Sequence, residues 1–217
     1  MKDYSTVFFD LDGTLVDSGE GVRNSVVYAL KKFGIEVENK DSLSCFIGPP
    51  LVVSFKTFFG FDDENADRGV SYYREYYKDK GIFEGYVYDG IEETLKRLKA
   101  AGKRVMVATS KPEEFAKRVL EKFGIDKYFD FIAGATLDEK TRANKIEIMK
   151  YAFDSSGASP EDTIMVGDRL FDIEGAKHFG MECIAVLYGY GYKEEFEQYG
   201  AEYIVESAKD IADLILK

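Results

Sequence analysis

The chain has 217 residues, of which 45% are hydrophobic and 32% are charged, and its formal net charge is −11. This composition is that of an ordinary globular protein with a sizeable core, and the negative charge argues against a nucleic-acid partner, because phosphate backbones are held by clustered Lys and Arg. No apolar run approaches the ~20 residues that span a bilayer, and the N-terminus lacks an apolar signal segment, so we expect a cytoplasmic protein with no membrane partner.

The first predicted element is a buried strand over 4–9 that ends in two carboxylates. Asp10 and Asp12 follow it two residues apart, and the alternation of an extended chain points both to the same face. Gly13 and Thr14 then break the strand into a loop of the kind that approaches a ligand closely. A plain polar turn has the same residue types. The stretch therefore indicates a ligand site only in combination with the polar clusters that follow later strands.

A helical block with no clear strand follows, over 17–82. Apolar residues recur at helical spacing, and the predicted helices are 17–34, 41–46, 51–59 and 63–80. We therefore predict a helical domain over 17–82, inserted into a core domain formed by 1–16 and 83–217. Gly48 and Pro49 form a turn between two of these helices, and both residue types are common in turns.

From Gly90 onward, helices and strands alternate. The predicted strands are 104–108, 129–133, 163–166, 182–186 and a weak one near Tyr203. Helices are predicted over 90–101, 112–123, 142–155 and 171–179, and at the C-terminus. Strands joined by helices of this length form right-handed βαβ units. The fold class is therefore α/β: a doubly wound parallel-sheet, Rossmann-like core with an inserted α-helical domain. Such sheets bind ligands outside the carboxyl ends of their strands.

Thr109, Ser110 and Lys111 follow the strand over 104–108. Hydroxyl groups beside a helix N-terminus are suited to bind an anion, because free backbone N–H groups point at the same spot. The alternative is that Thr109 or Ser110 only caps the helix while Lys111 is solvated.

A second carboxylate cluster, containing Asp168 and Asp172, follows the strand over 163–166. If this strand neighbours the first one, Asp168 lies near Asp10 and Asp12, and so many carboxylates need a cation to share a site. A hard ion that prefers oxygen ligands, such as Mg²⁺, meets that need. His178 is the only histidine, which excludes a metal site built from several histidines, and we expect it at a helix C-terminus.

These residues together resemble the haloacid dehalogenase superfamily. Its four ordered motifs are similar to Asp10-Leu11-Asp12-Gly13-Thr14, to Thr109 or Ser110, to Lys145, and to Gly167-Asp168 through Asp172. The helical block resembles the cap that this superfamily inserts after its first motif. The segments Phe46-Ile47-Gly48-Pro49-Pro50-Leu51 and Tyr188-Gly189-Tyr190-Gly191 resemble the phosphoglycolate phosphatase-like branch. The third motif departs from the common Lys-Pro-x-Pro pattern, which leaves Lys140 or Lys111 as alternatives to Lys145.

The resemblance implies a role for each motif residue. Asp10 would attack phosphorus, Asp12 would act as general acid and base, and Thr109 with Lys145 would hold the phosphoryl oxygens. The implied metal ligands are Asp10, the backbone carbonyl of Asp12 and Asp168, while Asp172 either orients Lys145 or contacts a water on the ion. The remaining substrate-binding candidates are Thr14, Ser110, Lys111, Gly48 and Pro49.

The implied function is a Mg²⁺-dependent phosphomonoesterase that acts on a small phosphorylated metabolite through an aspartyl-phosphate. Phosphoglycolate-like compounds, nucleotides, sugar phosphates and pyrophosphate are the candidate substrates. The alternatives are a 5′-nucleotidase or a phosphosugar mutase of the same superfamily, or a non-catalytic phospho-accepting signalling domain. We expect a monomer or a weak dimer.

Overall fold

The computed structural model describes residues 2–138 and 141–217, and the chain forms two compact units. One unit is built from Met1–Asp17 and Val87–Lys217, and the other from Ser18–Tyr86. The insertion predicted over 17–82 begins at nearly the same place as the second unit and ends a few residues before it. Its role as a cap stays a prediction.

The first unit is organised around a six-stranded sheet in which every pairing is parallel. Its strands are β1 (Thr6–Phe9), β4 (Arg104–Pro112), β5 (Phe131–Ala135), β6 (Thr163–Gly167), β7 (Glu182–Val186) and β8 (Tyr203–Val205). Two short strands, β2 (Val16–Asp17) and β3 (Tyr86–Val87), lie where the chain leaves this sheet and returns to it. The sheet order is β5-β4-β1-β6-β7-β8. The predicted doubly wound α/β fold is confirmed.

The position of β1 decides where a ligand can bind. Strand order reverses at β1, which has β4 on one side and β6 on the other. Phe9 is in register with Val107 of β4 and with Val166 of β6, so the residues that follow these three strands emerge together at one edge. Because β1 is buried on both faces, its sequence is a short apolar run rather than an alternating one.

In the described part of the chain, this unit also contains six helices. They are α4 (Ile91–Ala100), α5 (Glu113–Phe123), α6 (Lys145–Ser156), α7 (Leu170–His178), α8 (Lys193–Tyr199) and α9 (Ala208–Ile215). In α5 the apolar residues recur at helical spacing and are buried, namely Phe115, Ala116, Val119 and Leu120. Helices of this kind bury one stripe against the sheet and leave the opposite face to solvent.

The second unit is helical. It contains α1 (Gly19–Lys32), a 3₁₀ segment (Lys40–Phe46), α2 (Leu51–Phe59), α3 (Asp63–Tyr77) and a short 3₁₀ turn (Gly81–Phe83). Its interior is rich in aromatic rings, and Tyr73 and Tyr77 stack with ring centroids 5.2 Å apart. Phe55 packs in the same way against Phe61 at 5.7 Å.

The observed elements differ from the predicted ones at several places, of which the following bear on the site. The helix predicted from 142 begins at Lys145, because Asn144 caps it by accepting a hydrogen bond from the Glu147 N–H. The strand predicted over 104–108 continues to Pro112, and the strand predicted over 129–133 occupies Phe131–Ala135. Helix α8 was not predicted, since seven residues provide little periodicity.

His178 is exposed and is the last residue of α7, as expected. In the described parts of the chain, no helix is both long enough and apolar enough to cross a bilayer.

A substitution of Phe8 tests how much the packing of the central strand contributes to the stability of the fold. The Phe8 side chain is fully buried and its ring lies 5.0 Å from that of Phe153. Phe8→Ala should lower the free energy of unfolding by about 3–5 kcal/mol, because a large cavity remains in the core. Urea unfolding measures this change, and Tyr192→Ala, at a side chain that is 58% exposed, is the control. A loss equal to that of the control would show that the core does not depend on Phe8.

Candidate active site

Asp10 and Asp12 lie at the carboxyl end of the central strand, where the chain makes a sharp turn. The Asp10 N–H donates to the carbonyl of Val166 at 2.9 Å, which extends the pairing of β1 with β6 by one residue. The chain then turns at Gly13, whose φ is +84°. A Cβ at this position would lie 2.0 Å from Asp168 Oδ2, so only glycine lets the loop pass this close to the second carboxylate cluster.

Asp168 and Asp172 bring two further carboxylates to this edge. Asp168 follows β6 and is fully buried, and Asp172 lies in the first turn of α7, where it accepts a hydrogen bond from the Arg169 N–H at 3.2 Å. One carboxylate oxygen from each of Asp10, Asp168 and Asp172 lies within 4.8 Å of the other two. The structure therefore places the carboxylates of two separate motifs in one cluster.

Among the described residues, Lys145 is the cation that contacts this cluster. Its Nζ lies 2.9 Å from Asp10 Oδ1 and 2.7 Å from Asp172 Oδ1, and it donates to the Ala108 carbonyl at 3.0 Å. Gly175 in α7 makes room for the lysine stem, because a Cβ there would lie 2.9 Å from Lys145 Cγ. Sequence analysis left Lys140 as an alternative to this lysine, and Lys140 lies outside the described residues.

Lys111 contacts a different carboxylate, that of Asp12. Its Nζ lies 2.7 Å from Asp12 Oδ1 and 2.6 Å from Asp12 Oδ2. Thr109 is buried beside it, and its Oγ accepts a hydrogen bond from the Lys111 N–H at 3.2 Å, while Ser110 is half-buried. Asp10 and Asp12 thus have separate ammonium partners, although they are two residues apart.

A loop after β7 supports Asp168, and sequence analysis assigned it no role. The Tyr190 N–H donates to Asp168 Oδ2 at 2.8 Å, and the Tyr190 hydroxyl donates to Asp17 Oδ1 at 2.5 Å. The Tyr188 hydroxyl donates to the Thr14 carbonyl at 2.9 Å. The alternation of tyrosine and glycine at 188–191 was the available signal. In the sequence this pattern indicates only the family resemblance, because the contacts of the loop are with distant parts of the chain.

Two glycines of this loop lie against the site. A Cβ on Gly189 would lie 2.3 Å from the Gly13 carbonyl, and one on Gly191 would lie 2.1 Å from the Asp168 carbonyl. Thr14, a predicted substrate-binding residue, is fully buried, and its hydroxyl is 3.5 Å from Asp168 Oδ1. The loop therefore packs directly on the backbone that carries the carboxylates.

A second supporting contact that the sequence did not reveal lies at the start of α7. Glu195 is buried, accepts a hydrogen bond from the Leu170 N–H at 2.9 Å, and pairs with Arg169 Nε at 3.1 Å. A carboxylate at a helix N-terminus satisfies an N–H group that has no partner within the helix. Because Arg169 follows Asp168 directly, Glu195 anchors the chain next to the acidic cluster.

The electrostatics of the cluster reflect burial and crowding. Burial, followed by the charges of Asp172 and Asp10, raises the pKa of Asp168 well above its usual range. Burial also raises the pKa of Asp172 to about 6, although Lys145 opposes the rise. For Lys145, burial lowers the pKa, but the charges of Asp10 and Asp172 outweigh it and the pKa is raised overall. Among the described residues, two lysine ammonium groups thus face four carboxyl groups at this site.

The donor set fits a hard divalent cation. The three converging groups are all carboxylates, and oxygen ligands of this kind are those that Mg²⁺ prefers. The Asp12 side chain is not part of the converging set, since both of its oxygens contact Lys111. This leaves the Asp12 backbone carbonyl as the atom through which the predicted contact to a metal would be made.

Gly48 and Pro49, the predicted substrate-binding turn, lie in the second unit. They are half-buried and connect the 3₁₀ segment Lys40–Phe46 to α2. Their role in binding stays a prediction.

The parallel sheet brings carboxylates and buried lysines together where its strand order reverses, and comparison with known proteins identifies the family. The family model of haloacid dehalogenase-like hydrolases matches residues 7–186. A 5′-nucleotidase from Pseudomonas aeruginosa is 42% identical over 88% of this chain and 86% of its own length.

Two further similarities cover most of the chain. The crystal structure of a predicted phosphatase from Clostridium acetobutylicum has a TM-score of 0.96 and 47% identity, with 99% of both chains covered. A tyrosine-protein kinase, PtkA, from Mycobacterium tuberculosis is 36% identical over 93% of this chain and 68% of its own length.

The chain belongs to the haloacid dehalogenase-like hydrolases. The resemblance inferred from the four motifs is confirmed, and with it the enzyme class, a phosphatase of this superfamily.

Lys145→Met tests the electrostatic role of the buried ammonium group. Removing one partner of a buried ion pair leaves uncompensated charge, so the free energy of unfolding in EDTA should fall by about 3–5 kcal/mol. The control is Lys150→Met on the same helix. The ion pair of Lys150 with Asp154 is exposed, so the free energy of unfolding should not change in this variant. Equal free energies of unfolding for the two variants would contradict the assignment of Lys145 as the cation that holds the cluster together.

Proposed function

We propose that this protein is a Mg²⁺-dependent phosphomonoesterase that hydrolyses a small phosphorylated metabolite through an aspartyl-phosphate on Asp10. The observation that carries the proposal is the convergence of Asp10, Asp168 and Asp172 beside Lys145 at the carboxyl edge of the sheet. Carboxylates with a buried ammonium group provide a nucleophile, ligands for a cation and a positive charge for phosphoryl oxygens.

Asp10 is proposed as the nucleophile. Its side chain is 10% exposed, enough for contact with a ligand, and Lys145 holds one of its oxygens. A carboxylate attacks phosphorus without a separate base. The attack forms a bond between an Asp10 oxygen and phosphorus and breaks the bond from phosphorus to the ester oxygen.

Asp12 is proposed as the general acid and base. It would give a proton to the departing ester oxygen and later take one from the water that attacks the phosphorus on Asp10. Its setting differs from that of Asp10, since Lys111 contacts both of its oxygens. Two carboxylates in different environments can perform different tasks in one site.

The remaining groups are proposed to bind the phosphoryl group and the metal. Mg²⁺ held by Asp10, the Asp12 carbonyl and Asp168 would reduce the repulsion between the nucleophile and an anionic substrate. Lys145 would contact the phosphoryl oxygens, and the Thr109 hydroxyl, buried at the end of β4, would donate to them. Asp172 orients Lys145 through the 2.7 Å contact.

Among small phosphate esters, nucleoside monophosphates are favoured by the nucleotidase relative at 42% identity. Phosphoglycolate-like compounds and sugar phosphates are the other candidates. Ser110, Thr14 and the turn at Gly48 and Pro49 are the residues proposed to distinguish among them.

Asp10→Asn should abolish phosphate release, because an amide cannot form the phospho-enzyme. The measurement is Mg²⁺-dependent phosphate release from p-nitrophenyl phosphate and from a panel of nucleoside, glycolate and sugar phosphates. Asp154→Asn, a change at an exposed carboxylate, is the control and should retain full activity. Turnover by Asp10→Asn, or turnover that is indifferent to Mg²⁺ and EDTA, would contradict the proposal. Transfer of a phosphoryl group from ATP to tyrosine, with no release of phosphate, would favour a kinase instead.

Asp12→Asn should slow hydrolysis of the phospho-enzyme by about 10²–10⁴-fold, the range typical of general acid–base catalysis. The phosphorylated form should therefore accumulate after a pulse of p-nitrophenyl phosphate, which intact-protein mass spectrometry detects. Hydrolysis at the wild-type rate would remove Asp12 from this role.

A further inference from the structure

The contact between Lys111 and Asp12 is not explained by phosphate binding. The two side chains are 6% and 14% exposed, and the ammonium group lies 2.6 and 2.7 Å from the two carboxylate oxygens. A nearly buried ion pair persists when its geometry is good, and it restricts both side chains. The Asp12 carboxylate is thus held in one orientation.

The backbone of β4 explains how Lys111 reaches Asp12. The strand continues past Thr109, and its register with β5 shifts between Thr109 and Pro112. A bulge of this kind re-aims the side chains of the extra residues. The Lys111 N–H donates to the Thr109 hydroxyl within the bulge, which ties the lysine to a residue that is itself buried at the site.

The two site lysines differ in their carboxylate partners. Lys145 pairs with Asp10 and Asp172, whereas Lys111 pairs with Asp12. The charge near the nucleophile is therefore supplied by Lys145, and Lys111 serves a different group.

We propose that Lys111 is a positioning residue that orients the Asp12 carboxylate for proton transfer. This inference rests on the function proposed above. In the first half-reaction Asp12 passes a proton to the ester oxygen as the bond from that oxygen to phosphorus breaks. In the second, water attacks the phosphorus on Asp10, the Asp10–phosphorus bond breaks and the water proton goes to Asp12. Lys111 contacts neither reacting atom and acts through Asp12.

This role predicts a dependence on the leaving group. A p-nitrophenolate leaves as a stable anion and needs little help from an acid, whereas the primary alcohol of adenosine 5′-monophosphate needs a proton. The value of kcat/KM reports the steps up to phosphorylation, so it separates the two esters even when hydrolysis of the phospho-enzyme limits turnover.

In the experiment, Lys111→Met should lower kcat/KM for adenosine 5′-monophosphate at least about tenfold. It should lower kcat/KM for p-nitrophenyl phosphate less than about threefold, because only the nucleotide ester depends on the acid. Lys111→Arg, which keeps the charge, should recover part of the loss. Lys117→Met, at an exposed lysine on α5, is the control. Equal losses on both esters, with a raised KM, would overturn the proposal in favour of a substrate anchor.

A second measurement uses p-nitrophenyl phosphate alone. Hydrolysis of the phospho-enzyme should slow in Lys111→Met, and it should be no slower in the double variant with Asp12→Asn than in Asp12→Asn itself, because both changes remove one function. A further loss in the double variant would contradict positioning through Asp12. Thermal unfolding shows whether each variant is folded. Failure of the wild type to release phosphate from either ester would instead refute the proposed function.

Discussion

The arrangement of this site depends on one buried ammonium group, that of Lys145. It bridges Asp10, which follows the central strand, and Asp172, which lies at the start of α7. It also donates to the Ala108 carbonyl of the neighbouring strand. Carboxylates this close would repel one another without a positive partner. The lysine therefore offsets the repulsion between carboxylates that the sheet register brings to the same edge.

The second constraint is the charge that the lysines leave unbalanced. Lys145 and Lys111 supply two positive charges beside four carboxylates. In the described part of the chain, no lysine forms an ion pair with the fully buried Asp168. Its contacts are the Tyr190 N–H and the Thr14 hydroxyl, which are neutral donors. The carboxylate set of this site fits a divalent cation. Burial, followed by the charges of Asp172 and Asp10, raises the pKa of Asp168.

Close backbone packing completes the site. The loop after β7 reaches the first motif because Gly189 has no Cβ, and the first motif approaches Asp168 because Gly13 has none. A methyl group at either position would meet atoms of the site at less than normal contact distance. The hydroxyls of Tyr188 and Tyr190 then bond Thr14 and Asp17 in the segment that follows Gly13. Glycine at these two positions thus serves close approach, not flexibility.

The sequence by itself predicted the doubly wound fold and a helical insertion, and it placed Asp10 and Asp12 after one strand and Asp168 after another, because periodicity is a local property. Lys145 came from the family resemblance, with Lys140 and Lys111 left as alternatives. The tertiary structure decided which lysine meets which carboxylate. Lys111 and Asp12 are 99 residues apart, and their pairing depends on the order of β4 and β1 and on the bulge at Thr109–Pro112. The supporting contacts of Tyr190 and Glu195 likewise depend on how distant segments pack, which no local pattern specifies.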